Sequence, residues 1–354
     1  MIELKPETKT VICIGSGGVG KTTLAASLAA GWARDGKKVL VLTIDPSLRL
    51  AQTLGVKTDG EIHRVQMPGS SAGELYSCVV NHQQVFNWFI RNAAKNADVE
   101  PILKNRLYQQ LSQKLSGSQE FTSLVSLYRY VSSGDYDIVV LDTPPSQHTW
   151  NFLKAPEKIS MLFNEGVASW FRQSDESTGL FKKILNLSTT QVLKALETMT
   201  GSLFMKELSA FFKAIQKWEG PLETYVSNCH RILISPATEF FLVTALDPSR
   251  LNEAQKLSRE ISKQGYQLTS VVINRVPVWT EAESAAASRF SPRVHDLFQY
   301  YKGLSQNLTL SLSQFKKGLR IYKCFEQQQT AEDMAGLLLT YDHIVTMMYT
   351  NTLS

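Results

Sequence analysis

A glycine-rich segment near the start of the chain contains the residue types that bind phosphate groups. Residues 15–22 read G-S-G-G-V-G-K-T, which matches the pattern G-x-x-x-x-G-K-[ST]. In such a loop the backbone N–H groups surround phosphate oxygens, the lysine reaches the β- and γ-phosphates, and the following hydroxyl binds Mg²⁺. The sequence therefore predicts a nucleoside triphosphate as ligand, with Lys21 acting in catalysis and Thr22 as a Mg²⁺ ligand. The predicted nucleotide-binding residues of the loop are Gly17, Gly18, Val19, Gly20, Lys21, Thr22 and Thr23.

Asp142 is the second predicted Mg²⁺ ligand. It ends the segment 136–142, Y-D-I-V-V-L-D, whose continuous apolar run is typical of a strand buried in a parallel sheet. An acidic residue at the end of such a strand, next to a phosphate loop, has the form of a Walker B motif and holds the Mg²⁺ shell. The motif is weak alone and becomes informative beside the loop of residues 15–22.

Strands and helices must bring these residues to one edge of a sheet. Residues 11–14 are apolar and indicate a strand before the loop, and residues 24–30 continue at helical spacing. A second apolar strand over residues 38–44 completes a strand–helix–strand unit and is followed by Asp45. Ligands bind at the carboxyl edge of such sheets, so Asp45 is a candidate catalytic residue. An ordinary turn at Asp45-Pro46 explains the same spacing equally well.

The composition limits the classes of partner. The 354 residues are 43% hydrophobic and 19% charged, as in soluble globular proteins, and the net charge of +5 is diffuse. No basic run with interleaved aromatic residues occurs, so no nucleic-acid partner is indicated. The four cysteines form no CxxC pair, so neither a zinc site nor a disulfide framework is predicted. With no transmembrane segment and no export signal in the sequence, we expect a cytoplasmic protein.

The motifs together resemble the ArsA family of ATPases. Residues 142–153 read D-T-P-P-S-Q-H-T-W-N-F-L, which is similar to the family pattern D-T-A-P-T-G-H-T-x-R-F-L. The family includes the arsenite-pump ATPase and the ATPase for guided entry of tail-anchored proteins. The residues shared with this pattern are Asp142, Thr143, Pro145, His148, Thr149, Phe152 and Leu153.

The resemblance implies both a fold and a reaction. The implied fold is an α/β P-loop NTPase with a mostly parallel sheet flanked by helices and an inserted α-helical subdomain. The implied reaction is Mg²⁺-dependent hydrolysis of ATP by a homodimer, with Asp45 in the first switch positioning the attacking water and residues 142–153 forming the second switch. It also implies that Asn274, at the end of an apolar strand, contacts the adenine ring, with Arg275 beside it in the nucleotide site. A turn-forming asparagine at a strand end is the ordinary alternative for Asn274.

Two departures from the family pattern affect these implications. The family loop begins G-K-G-G, and its first lysine reaches across the homodimer; this sequence has Ser16 there. Hydrolysis is then expected either to be slower or to use another basic residue such as Arg49. The zinc-binding CxxC and the metalloid-binding cysteines of some relatives are also missing. We therefore expect no stoichiometric zinc and no stimulation by arsenite or antimonite.

The chain is predicted to fold as one nucleotide-binding domain interrupted by a helical subdomain. The nucleotide-binding domain comprises residues 1–81 with the phosphate loop and first switch, 134–154 with Walker B and the second switch, and 223–354; the helical subdomain comprises 82–133 and 155–222. Within the last of these, apolar residues over 203–218 recur every three or four positions and could form either a client groove or a buried core. Towards the end of the chain, the pattern predicts a return to the sheet at 231–234, a last strand at 306–312, and helices at 313–326 and 331–349.

The leading functional interpretation is an ATPase whose nucleotide state controls a hydrophobic client helix or a membrane-protein partner. One alternative is a positioning switch like ParA or MinD, and another is a nucleotide-dependent scaffold with weak ATPase activity. MinD-type switches often end in a basic amphipathic helix, whereas residues 331–353 contain no Lys or Arg.

Overall fold

The computed structural model of the chain describes residues 2–44, 48–69, 71–93, 99–104, 109, 119–143, 224–281, 291–313, 318–327 and 331–349. Its contacts divide the chain into two units, which we call the sheet unit and the helical unit. The sheet unit comprises Met1–Asn81, Ser126–Phe152 and Arg231–Ser354, and the helical unit comprises His82–Val125 and Leu153–His230.

Among the described residues, nine strands form a single sheet in the sheet unit. They are β1 (Thr10–Gly15), β2 (Lys38–Thr43), β3 (His63–Val65), β4 (Glu74–Val79), β5 (Ile138–Asp142), β6 (Thr238–Ala245), β7 (Leu268–Val276), β8 (Arg320–Phe325) and β9 (Ile344–Tyr349). Their order across the sheet is β3-β4-β2-β5-β1-β6-β7-β8-β9. The edge strands β3 and β9 run antiparallel to their neighbours, and the other neighbouring pairs are parallel. The predicted mostly parallel sheet is confirmed.

Helices flank this sheet. The described helices of the chain are α1 (Lys21–Arg34), α2 (Leu48–Leu54), α3 (His82–Ala93), α4 (Glu100–Leu103), α5 (Gln119–Ser133), α6 (224–234), α7 (Pro248–Lys263), α8 (Pro292–Ser313) and α9 (Met334–Asp342), with a 3-10 turn at Val278–Glu281. Helices and strands alternate along much of the chain, as in α/β proteins. Strand β1 is followed by the phosphate loop and then by α1, the order that the loop motif requires.

Both faces of the central strands are covered. Val11 and Cys13 of β1 belong to a buried cluster that also contains Leu28 and Trp32 of α1. Since side chains alternate along a strand, Ile12 lies on the opposite face of the sheet from Val11 and Cys13. Ile12 is also fully buried. Helix α7 contacts β1, β6 and β7. This two-sided burial explains why the central strands appear in the sequence as nearly continuous apolar runs.

Four of the secondary-structure predictions near the end of the chain are wrong. Residues 306–312 are helical, within α8; their alternating leucines have the period of a strand, but they continue a helix that begins at Pro292. Residues 231–234 are likewise helical, at the end of α6. Within the predicted helix 313–326, residues Arg320–Phe325 form the strand β8. Within the predicted helix 331–349, the helix α9 ends at Asp342 and the strand β9 follows. Pairing between β8 and β9 outweighs local helical spacing in both segments.

The helical unit is built around aromatic residues in its described part. Phe89 of α3 is fully buried, and its ring centroid lies 4.9 Å from that of Tyr225. Trp88 contacts the same tyrosine at 6.0 Å. The apolar residues over 203–218, interpreted above as a client groove or a core, lie outside the described residues. In the part of the chain that the structure describes, no helix has both the length and the apolar character needed to cross a bilayer.

Candidate functional site

The glycine-rich loop lies at the carboxyl edge of the sheet, between the end of β1 at Gly15 and the start of α1 at Lys21. A Cβ atom on Gly15 would lie 2.1 Å from the carbonyl oxygen of Val243 on β6, so a residue with a side chain does not fit there. Gly20 has a φ of 87°, in the left-handed region that favours glycine. These requirements explain the first and last glycines of the motif by sterics alone.

The amino end of α1 is available to bind an anion. Its N-cap residue is Gly20, which has no side chain that could accept hydrogen bonds from the first N–H groups of the helix. The helix dipole adds partial positive charge at the same end. Backbone N–H groups at a helix start, together with those of a glycine-rich loop, form a binding site for phosphate oxygens.

Lys21 supplies a cation within this loop. Its side chain is buried, and its Nζ donates a hydrogen bond to the carbonyl oxygen of Ser16 at 2.9 Å. The ammonium group is therefore held against the loop backbone and does not extend into solvent. Ser16 is itself buried.

Thr22 and Asp142 meet at the same edge of the sheet. The Thr22 hydroxyl donates a hydrogen bond of 2.6 Å to Oδ2 of Asp142, and the Thr43 hydroxyl donates to the same oxygen at 3.2 Å. Strand register explains part of this arrangement, because Asp142 on β5 is the partner of Thr43 on β2 and of Cys13 on β1, the strand that leads through the loop to Thr22 on α1. Asp142 is fully buried, so its carboxylate acts in a site largely shielded from solvent.

The donor atoms of Thr22 and Asp142 fit Mg²⁺. Both are hard oxygen ligands, which Mg²⁺ prefers, and a Mg²⁺ ion is usually held by one or two such groups together with water and substrate phosphates. No group of three or more His, Cys, Asp and Glu side chains that could hold a metal occurs among the described residues.

Two threonines at this edge had no separate role in the sequence analysis: Thr43 was not identified, and Thr143 was named only as part of the second switch, residues 142–153. Thr43 ends β2, and Thr143 follows β5 and donates from its hydroxyl to the carbonyl oxygen of Cys13 at 2.7 Å. The second contact ties the chain leaving β5 to the end of β1. Both threonines stand next to a predicted strand end at the ligand-binding edge, which is the signal that could have identified them. Burial and the nearby Asp142 carboxylate raise the pKa of the Cys13 thiol, so that thiol stays neutral.

Asn274 contacts the phosphate loop directly. It lies near the end of β7, and its Nδ2 donates a hydrogen bond of 2.8 Å to the carbonyl oxygen of Val19. Its Oδ1 accepts a hydrogen bond from the backbone N–H of Arg275 at 3.0 Å. Arg275 has a φ of 56°, the left-handed conformation, and is exposed. The structure thus brings Asn274 to the loop, whereas the Arg275 side chain extends from the strand end towards solvent.

The structure describes most of the predicted site residues. Gly17, Gly18, Val19, Gly20, Lys21, Thr22 and Thr23 form the loop and the first turn of α1. Asp142 lies at the end of β5 and Asn274 near the end of β7, two strands that β1 and β6 separate in the sheet. Asp45 and residues 144–153 of the predicted second switch lie outside the described residues, as does the side chain of Arg49. The role of Asp45 stays a prediction.

Comparisons of the sequence with known proteins identify the family of this chain. The model of the ArsA family, described as anion-transporting ATPase, matches residues 8–307. ATPase get3 of Aspergillus terreus is 26% identical over 269 residues, which cover 74% of this chain and 71% of the relative. ATPase asna-1 of Caenorhabditis elegans is 24% identical over 280 residues, covering 76% and 74%. A putative arsenical pump-driving ATPase 1 of Aquifex aeolicus is 24% identical over 278 residues, covering 76% of this chain and 63% of the relative.

Proposed function

The chain belongs to the ArsA family of anion-transporting ATPases, and from this premise we propose that it hydrolyses ATP with Mg²⁺ as a homodimer and so controls a hydrophobic client. The observation that carries the Mg²⁺ part of the proposal is the 2.6 Å hydrogen bond between Thr22 and Asp142. A hydroxyl after the loop lysine and a carboxylate at the next strand end are the protein ligands that a P-loop ATPase uses for Mg²⁺.

Each loop group has a separate task in the proposed reaction. The N–H groups of the loop and of the first turn of α1 bind the phosphate oxygens, and Lys21 neutralises charge on the β- and γ-phosphates. Mg²⁺ held by Thr22 and Asp142 would neutralise the charge that develops on the phosphate oxygens as the γ-phosphoryl group is transferred. Asp45 is proposed to orient the attacking water.

The domain organisation forms part of the proposal. We propose a nucleotide-binding domain of residues 1–81, 134–154 and 223–354, with a helical subdomain of 82–133 and 155–222 that responds to the nucleotide. Support comes from the contact-based division of the chain near residues 81, 125, 152 and 230, which is close to these limits.

A hydrophobic client is favoured over a metalloid cargo. One relative is named for driving an arsenical pump, and soft metalloids prefer clustered thiolates. All four cysteines of this chain are buried. The pKa of each thiol is raised by burial, to about 11 for Cys78 and Cys324, which opposes thiolate formation near neutral pH. The family resemblance supports a client helix bound by the helical subdomain.

Turnover in the presence and absence of Mg²⁺ tests the catalytic part of the proposal. We expect the wild-type protein to release phosphate from ATP with Mg²⁺ and to stop when EDTA is added. Thr22→Ala should lower kcat/KM at least about tenfold, since it removes a metal ligand. Thr58→Ala, a threonine exposed on the same unit, is the matched control and should leave turnover unchanged. Equal turnover of Thr22→Ala and wild type would refute the proposed metal site.

The client and the dimer need a separate experiment. Asp45→Asn should keep ATP affinity and lose turnover, which holds the protein in its ATP state. In that state we expect a dimer by light scattering and retention of a fluorescent apolar peptide of about 20 residues, the length of a membrane-spanning helix. A polar peptide of the same length is the control. Monomers in every nucleotide state, or equal retention of both peptides, would contradict this part of the proposal.

A further inference from the structure

The contact between Asn274 and Val19 suggests a role for Asn274 within the phosphate loop itself. We propose that Asn274 is a positioning residue that fixes the Val19–Gly20 peptide so that its N–H group faces the phosphates. The inference rests on the proposed phosphate site. It assigns to Asn274 a task that is independent of the adenine ring.

The geometry of the Val19–Gly20 peptide fixes the direction of its N–H group. A trans peptide is planar, so its carbonyl oxygen and its N–H group point in opposite directions. The carbonyl oxygen of Val19 accepts a 2.8 Å hydrogen bond from Nδ2 of Asn274 and is therefore held on the β7 side of the loop. The N–H group of Gly20, at the other end of the same peptide, must then point away from β7. If this peptide turned over, its carbonyl oxygen would replace that N–H group and would repel a phosphate.

The orientation of the Asn274 amide is determined by its neighbour. Its Oδ1 accepts a hydrogen bond from the N–H of Arg275 at 3.0 Å. Because that oxygen faces an N–H donor, the NH₂ group is the end that faces the Val19 carbonyl. This N–H group belongs to Arg275, whose backbone is left-handed, with a φ of 56°. The Asn274 side chain is therefore fixed by two backbone groups, the N–H of Arg275 and the carbonyl of Val19.

Steric fit between the loop and the strand end is a second feature of the same contact. A Cβ atom on Gly20 would lie 2.4 Å from Nδ2 of Asn274. The loop backbone at Gly20 thus lies directly against the Asn274 amide group. Gly20 has a φ of 87° at this point of contact. Since both the hydrogen bond and the contact involve the same peptide, losing the amide leaves that peptide free to adopt other orientations.

Inorganic tripolyphosphate separates positioning of the loop from contact with the base. It has the phosphates of ATP and no adenine, so it senses the loop alone. In calorimetric titrations with Mg²⁺, we expect Asn274→Ala to bind ATP and tripolyphosphate more weakly by the same factor, about tenfold, the worth of one well-placed hydrogen bond. Asn274→Asp keeps the shape and the acceptor but loses the donor, and should weaken both ligands at least as much.

Two measurements keep the result interpretable. Asn252→Ala, at an exposed asparagine on α7, is the matched control and should bind both ligands as the wild type does. Thermal melting of each variant checks that it is folded, and the ratio of the two affinity losses within one preparation does not depend on the active fraction. If neither the wild type nor the control binds ATP, the proposed function is contradicted. This result differs from every result that bears on Asn274, because those require a wild type that binds ATP.

Equal losses for the two ligands support the inference. A loss for ATP with tripolyphosphate unaffected would overturn it in favour of a base contact. Unchanged binding of both ligands would also overturn it, as would a wild-type protein that binds ATP but not tripolyphosphate.

Discussion

The Thr22 hydroxyl donates a 2.6 Å hydrogen bond to the Asp142 carboxylate, although the two residues are 120 positions apart in the chain. The pairing of β5 with β1 and β2 contributes to this contact, because it aligns Asp142 with Thr43 and with Cys13, whose strand leads through the loop to Thr22 on α1. Two oxygen-bearing side chains from distant segments, one on the first turn of α1 and one at the end of β5, thus meet at the carboxyl edge of the sheet. The proposed metal site is accordingly expected to be formed before nucleotide binds.

Asp142→Asn should reduce the stabilisation that Mg²⁺ adds to bound ATP. The substitution keeps the shape and an acceptor for Thr22, but it removes the negative charge that binds the cation. The melting temperature of the wild type should rise more with ATP and Mg²⁺ than with ATP and EDTA, and this difference should shrink in the variant by the equivalent of about 1–3 kcal/mol. Asp135→Asn, at an exposed position of the same unit, should behave as the wild type does. An undiminished Mg²⁺ effect in Asp142→Asn would exclude Asp142 as a ligand.

Lys21→Ala should weaken ATP binding with or without Mg²⁺. Lys21 is buried against the Ser16 carbonyl, so its ammonium group lies within the loop, where it would offset part of the triphosphate charge. Charge-assisted hydrogen bonds of this kind are worth about 1.5–3 kcal/mol, or about ten- to a hundredfold in affinity. Fluorescent-nucleotide titration measures the loss, with the exposed Lys37→Ala as control. Comparable affinities in the two variants would argue against a phosphate contact by Lys21.

The sequence alone predicted those features that depend on local patterns. The loop of residues 15–22, the strand before it, the helix after it and the strand ending at Asp142 each have a continuous motif, and the fold class and the ATPase family that follow from them are confirmed. Burial of the central strands on both faces makes such motifs visible as apolar runs.

Contacts that depend on strand register could not be predicted. Asn274 was interpreted through the family resemblance as an adenine contact, and nothing in its neighbouring residues indicates that its amide meets the carbonyl of Val19, 255 positions away. Strands β8 and β9 were taken for helices because their short segments carry no pattern that excludes helix, and their antiparallel pairing is a tertiary effect. The role of Asp45 stays a prediction from the motif.

Arg320→Ala should destabilise the sheet unit far more than Arg64→Ala. Arg320 pairs with Glu239, and the side chains of these residues are 11% and 0% exposed, whereas Arg64 pairs with Glu74 with exposures of 67% and 35%. Removing the partly buried arginine leaves the buried Glu239 carboxylate without its counter-ion, at a cost of about 3–5 kcal/mol, while an exposed pair contributes at most about 1 kcal/mol. Urea denaturation should give this order. Similar midpoints would mean that solvent reaches Glu239.

The four cysteines should be inert in the native protein. Burial raises the pKa of each thiol, and near pH 8 a thiol with a pKa of about 11, as for Cys78 and Cys324, is about one-thousandth thiolate. Ellman's reagent should therefore detect no fast-reacting thiol before unfolding and four afterwards. Arsenite should leave ATP turnover unchanged. A thiol that reacts rapidly in the native state and is protected by arsenite would contradict the preference for a hydrophobic client.

Gly31→Ala and Gly303→Ala should change stability in opposite directions, although both replace glycine within a helix. Helix α9 packs against α1 at Gly31, where a Cβ atom would lie 2.3 Å from the ring of Tyr341, so the added methyl group must displace that ring or the helix that carries it. At Gly303 in α8 a Cβ atom meets nothing within 4 Å, and alanine should stabilise the helix by about 0.5–1 kcal/mol. Overpacking at Gly31 should cost about 1–3 kcal/mol. Chemical denaturation of both variants measures the two changes, and a Gly31→Ala protein as stable as the wild type would show that the contact between α1 and α9 relaxes easily.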